Sequence, residues 1–121
     1  AAQLHNQVAY HDFEGITVHR EEGARILASA GGKRVLLLRN HGPVVIGHTL
    51  AQAFNILWLV QRACEIQVAS ASLGKLRQIP VPVLEGCVRD SLNFNPQFGA
   101  GEDSFAAMQR LIDRIDPGYR A

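Results

Sequence analysis

The chain has 121 residues, 47% of them hydrophobic and 19% charged, with a formal net charge of +1. That length suits one domain or part of one, and the balance is that of a folded globular chain rather than a disordered one. The basic residues are scattered rather than gathered in a stripe, which gives nucleic acid binding no electrostatic footing. The most apolar window, 44–60, is interrupted by His48, Thr49, Gln52 and Asn55. It is therefore no membrane span, which needs ~20 mostly apolar residues. The opening AAQLHNQ has no basic stretch followed by an apolar run, so no secretory signal is expected there. Met108 is the only methionine, so residue 1 is not an initiator methionine. Cys64 and Cys87 form no CxxC pair; a disulfide between them stays open, and reduced thiols of a cytoplasmic protein are the plainer reading.

In chain order, residues 8–10 and 16–18 each have the character of a short strand, with a turn at 12–15. Residues 21–30 predict a short helix. Ala24, Leu27 and Ala30 share a face, Glu21 is placed to pair with Arg25, and Gly31-Gly32 stops the helix. Residues 34–39 are apolar through their middle, the pattern of a strand covered on both faces. Asn40-His41-Gly42-Pro43 interrupts that strand, residues 44–46 resume it, and Gly47-His48 turns out of it. Thr49 with Gln52 matches a capping box, and a helix is predicted from Leu50 to about Leu73, with Gly74 as its stop. Leu50, Ala53, Phe54, Leu57, Val60, Ala63, Cys64 and Val68 are its expected apolar face. So apolar a helix is expected to be covered on more than one side, by a sheet with another subunit as the candidate second cover. Trp58 and Phe54 read as core or subunit contacts. The two prolines in 78–83 predict an extended connector, followed by helical character over 84–93 and a loop over 95–101. A last helix, capped by Asp103 or Ser104, carries Phe105, Met108, Leu111, Ile112 and Ile115 and ends at Asp116-Pro117-Gly118. Strands alternating with helices point to an α/β or α+β layered domain.

Asn40-His41-Gly42 is the most informative tripeptide. A histidine at the end of a buried strand stands on a rigid base with its ring open to a cleft, and neutral imidazole is a common ligand for zinc and similar ions. A lone histidine there is more often structural. Its surroundings change the balance. Residues 33–67 carry an apolar strand, the His41-Gly42 pair, a second short strand ending in Gly47, then Ala53-Phe54 and Arg62-Ala63-Cys64 with Ile66-Gln67 on one long helix. In this order and spacing they resemble the signature segment of the class II aldolase/adducin family. The stretch VAYHDFEG at 8–15 and the tail LIDRIDPGYR at 111–120 are similar to the flanking segments of that family, the tail to its adducin-like bacterial branch. The resemblance covers nearly all of residues 1–121, read as one partial domain of this type.

The resemblance implies a three-layer α/β/α domain around a central, mostly antiparallel sheet, of which the C-terminal half is present here. It implies a divalent metal, usually zinc, held by three histidines. That metal acts as a Lewis acid on an enediolate in aldol cleavage of a sugar phosphate or similar small carbonyl substrate. His41 matches the third metal ligand. Family enzymes are often homotetramers with active sites between subunits, and Tyr119 is the residue of this tail that could reach a neighbouring site in a catalytic role. An exposed tail tyrosine is the plainer reading of it. The chain departs from the pattern in lacking any His-x-His pair, the upstream acid and the phosphate-binding loops, and in carrying Gln61 where a glutamate is expected. A self-contained zinc site is therefore not expected, and the isolated chain is expected to be inactive. Two readings stay open: part of a metal-dependent lyase, or a non-catalytic adducin-like interaction or structural module. Among other groups, Asp12 and Glu14 read as solvated turn carboxylates. Cys64 reads as a packing residue, and Gly99-Ala-Gly101 lacks the context of a phosphate loop.

Overall fold

The computed structural model describes residues 2–16, 19–93 and 101–120. Three strands, β1 (Val8–His11), β2 (Val35–Leu38) and β3 (Gly42–Val45), form one sheet in the order β1-β2-β3. β1 runs parallel to β2, with Val8 opposite Val35, and β2 runs antiparallel to β3, with Leu38 opposite Gly42. Helix α1 (Arg20–Ala30) makes the crossover from β1 to β2, because parallel neighbours cannot be joined by a tight turn. After the sheet come α2 (Leu50–Ser70), α3 (Val81–Asn93) and α4 (Glu102–Ile115).

β2 is the centre of the structure. Val35 is 0% and Leu36 2% exposed, and successive strand residues face opposite sides. Val35 packs with Ile56 and Val60 of α2, with Leu4, Val8, Leu37 and Val45 around them. On the other face, His11 of β1 meets Ser29 of α1. The sheet therefore lies between α1 and α2, three layers of a mixed α/β fold, and a strand covered on both faces can be apolar throughout, as its sequence predicts.

Five local expectations change. The prolines do not keep 78–83 extended. Val81 and Pro82 occupy the first turn of α3, where a missing N–H costs no intrahelical bond, and the Pro80 carbonyl accepts from the amides of Val83 and Leu84. The buried residues of α2 are Ala51, Ile56 and Val60, whereas Leu50, Leu57 and Val68 are exposed and Cys64 with them. α2 is apolar nearly all round, so periodicity could not select the face the sheet takes. α4 is entered from Gly101 rather than capped by Asp103 or Ser104. Gly101 has φ +103°, and a Cβ there would come 2.6 Å from Asn55 Cβ on α2. Close approach of α4 to α2 thus sets the helix start, and Phe105 meets Phe54 edge-on at 5.4 Å. β3 begins at Gly42 and includes Pro43, which an edge strand of this sheet accommodates. Arg25 pairs with Glu14 rather than with Glu21. Of the second expected strand, Thr17 and Val18 lie outside the described residues and Ile16 sits in a bend; most of the 95–101 loop also lies outside them.

The Thr49 cap forms, while the return bond of the box goes to the preceding residue. Thr49 Oγ1 accepts from the Gln52 amide at 3.1 Å, and the Gln52 side chain accepts from the His48 amide at 2.7 Å. α2 ends in a short 3-10 turn over Ala71–Leu73 before Gly74, close to its expected stop. No helix among the described residues is long and apolar enough to cross a membrane.

Candidate functional site

β2 and β3 are joined by Arg39, Asn40 and His41, a three-residue hairpin loop. Such a loop needs one left-handed residue, and Asn40 supplies it at φ +58°. The His41 amide donates to the Leu38 carbonyl at 3.0 Å and closes the turn. Asparagine tolerates this conformation and alanine does not, so Asn40→Ala should cost about 1 kcal/mol of stability, whereas Asn40→Gly should stay within a few tenths. Urea denaturation of the two variants checks this.

The hairpin sets His41 at the exposed end of the buried strand, with its ring 6.3 Å from that of Phe13, itself half-exposed. A rigid base, a solvent-facing imidazole and an apolar neighbour suit a single ligand to a divalent ion. The chemistry of this one donor fits the metal implied by the family pattern, but it is one donor. The ligating side chains that converge among the described residues are His11, Glu14 and Glu22, and His41 is not in that group.

Sequence reasoning misses that second group. His11 closes β1, Glu14 lies in the following turn and Glu22 in the first turn of α1. The His11-x-x-Glu14 spacing is the available signal, but Glu22 joins only because the crossover helix folds back onto β1. Glu14 is exposed, as its turn suggests, but it is held in an ion pair. Arg25 forks onto it, with Nε 3.0 and 2.9 Å from its two oxygens and a third contact from the terminal nitrogen. Arg39 pairs with Asp12 at 3.2 Å and lies over the Tyr10 ring.

The Arg25 hydrogen bond is the main reason the Glu14 carboxyl titrates below its ordinary 4.5. A folded-state pKa depressed in this way contributes stability that is present above 4.5 and lost as pH falls through the folded value. Arg25→Gln should remove that contribution and flatten the stability profile in the acid range below 4.5. Denaturation midpoints of wild type and variant on either side of that pH provide the check.

Tyr119 lies far along the chain, half-exposed after α4. Its hydroxyl donates to Asp113 at 3.0 Å and accepts from Arg120 Nε at 3.1 Å, while Arg120 also reaches Asp113 at 2.8 Å. The tail tyrosine is thus held to its own helix.

Comparison with known proteins agrees with this architecture. Residues 1–68 match the family described as Class II Aldolase and Adducin N-terminal domain. An aldolase class 2-type protein of Pseudomonas aeruginosa is 36% identical over 95% of this chain and 46% of its own length. Rat alpha-adducin (Rattus norvegicus) is 37% identical over 94% of this chain and 17% of its own length. The crystal structure of an aldolase II superfamily protein from Pseudomonas syringae superposes with a TM-score of 0.85 at 30% identity, covering 99% of this chain and 48% of that one. The chain spans about half the length or less of these proteins. With the signature segment, the layered fold and the family match over its first 68 residues, the chain belongs to the class II aldolase and adducin family.

Proposed function

We propose that residues 1–121 are the C-terminal part of a class II aldolase-type domain whose complete form is a divalent-metal-dependent lyase. Its substrate class would be a sugar phosphate or similar small carbonyl compound. The observation that carries this reading is the placement of His41, an imidazole held in the open at the end of a strand buried on both faces. The remaining ligands are assigned to sequence outside these residues, which is supported by the half-length coverage of the relatives.

In this reading the bound ion, zinc or another divalent metal, supplies Lewis-acid polarisation of a substrate oxygen. His41 lends one neutral ring nitrogen. β2 keeps its position fixed, the Asn40 turn aims it outward, and the Phe13 ring lies beside it. Tyr119, oriented by Asp113 and Arg120, is proposed as the residue this chain presents to a neighbouring subunit's site. A homotetramer is supported by Leu57, Trp58, Ile66 and Val68, which remain exposed along α2, more apolar surface than one helix face usually leaves in water. A cytoplasmic setting belongs to the same proposal.

The test is aldol cleavage of a panel of sugar phosphates by a protein that includes the upstream segment. Activity abolished by a chelator and restored by zinc supports the lyase. The kinship to alpha-adducin favours a second reading, a non-catalytic interaction module. Absence of both turnover and bound divalent ion in that longer protein would select it.

A further inference from the structure

The His11, Glu14 and Glu22 group has no part in the proposed lyase chemistry, yet its polar atoms are arranged for a ligand. His11 is 8% and Glu22 6% exposed. The His11 Nδ1 lies 2.9 Å from Ser29 Oγ. Its Nε2 is buried without a hydrogen-bond partner and stands 3.5 Å from Glu14 Oε1. One ligand atom from each of His11, Glu14 and Glu22 lies within 4.8 Å of the other two. If Nδ1 carries the ring proton toward Ser29, the lone pair of the buried Nε2 faces carboxylate oxygens of the buried Glu22 and the exposed Glu14. That is costly unless a positive charge sits among them. Arg25 sets one positive charge near both carboxylates and forks onto Glu14, so the group left unsatisfied is Nε2 of His11, which has no hydrogen-bond partner.

We propose that His11, Glu14 and Glu22 form a divalent-cation site, best matched to Zn2+, separate from the ligand position at His41. One imidazole nitrogen and two carboxylate oxygens are a donor set that zinc accepts, with a fourth position left for water. The Ser29 contact on the far ring nitrogen is the kind of outer partner that fixes tautomer and orientation in metal-ligating histidines. The rim is open. A depression lined by Tyr10, Asp12, Glu14, Arg25 and Arg39 beside His11 gives an ion a path in from solvent. Arg25 hydrogen bonds to the Glu14 ligand from outside and lowers the site's affinity through its charge. Binding here would tie the end of β1 to the first turn of α1 across the connection between them.

The experiment titrates zinc chloride into the 121-residue chain carrying His41→Ala, by isothermal calorimetry, with folding checked by circular dichroism. The proposal expects one zinc per chain in this background. Adding His11→Gln should weaken binding by at least ~10-fold, since even outer-shell changes at metal sites cost that much. Because His11 is buried, a second variant is needed. Arg25→Gln sits at the surface and should tighten binding severalfold by removing a cation beside the ligands. Loss of all zinc uptake on His41→Ala alone would overturn this site while leaving the His41 assignment standing. Equal zinc affinity with and without Arg25→Gln and His11→Gln would also overturn it. The group would then be only the contact of His11 with Glu14.

Discussion

His41→Ala, made in a protein that carries the complete ligand set, should lower kcat/KM for metal-dependent cleavage by at least ~100-fold, the upper range for loss of a mere outer-shell partner. With the metal removed by a chelator, stability should change by no more than ~0.5 kcal/mol, because the side chain is exposed at a hairpin tip and carries no core packing. That separation is the informative part. A histidine needed for packing would lose both together, and a solvated histidine would lose neither. Steady-state kinetics beside thermal unfolding of the same preparations gives both readings. Phe13→Ala is the companion variant. It removes the ring beside His41 but no ligand atom, so its kinetic effect should be the smaller of the two.

Leu36→Ala should be the most damaging single change to the fold, at about 3 kcal/mol, within the range for leaving a cavity where a leucine stood. Leu36 is 2% exposed in the strand that both β1 and β3 pair with, so the layers around it have little freedom to close the gap. Leu27→Ala, on α1 and 70% exposed, should cost less than ~0.5 kcal/mol. Urea denaturation of both variants measures the contrast. Similar losses at the two positions would mean that β2 is not the centre of the packing.

The same strand shows what is legible in the amino-acid sequence alone. A run such as Arg34-Val-Leu-Leu-Leu-Arg39 leaves few choices. It is too short for a helix, too apolar for an edge, and bounded by charges. The Thr49 cap is equally readable, because its partner Gln52 is local. His41 stands out for the same reason: strand, turn and glycine adjoin it in sequence. What is not readable depends on distant contacts. α2 is apolar on most sides, and only the arrival of Val35 and Val45 chooses Ile56 and Val60 as its inner face. Gly101 starts α4 because Asn55 and Ala51 press against it. Arg25 has a nearer carboxylate in sequence at Glu21, yet the crossover brings Glu14 into its fork. The His11 group is hidden in the same way, since Glu22 reaches it only once α1 lies on the sheet.

The functional reading turns on His41 being a metal ligand. Anomalous X-ray diffraction at the zinc edge, from crystals of the complete domain grown with zinc, examines that point directly. An anomalous peak about 2.1 Å from a ring nitrogen of His41 is the expected result. Density that places zinc elsewhere in the crystal and none at that imidazole would contradict it.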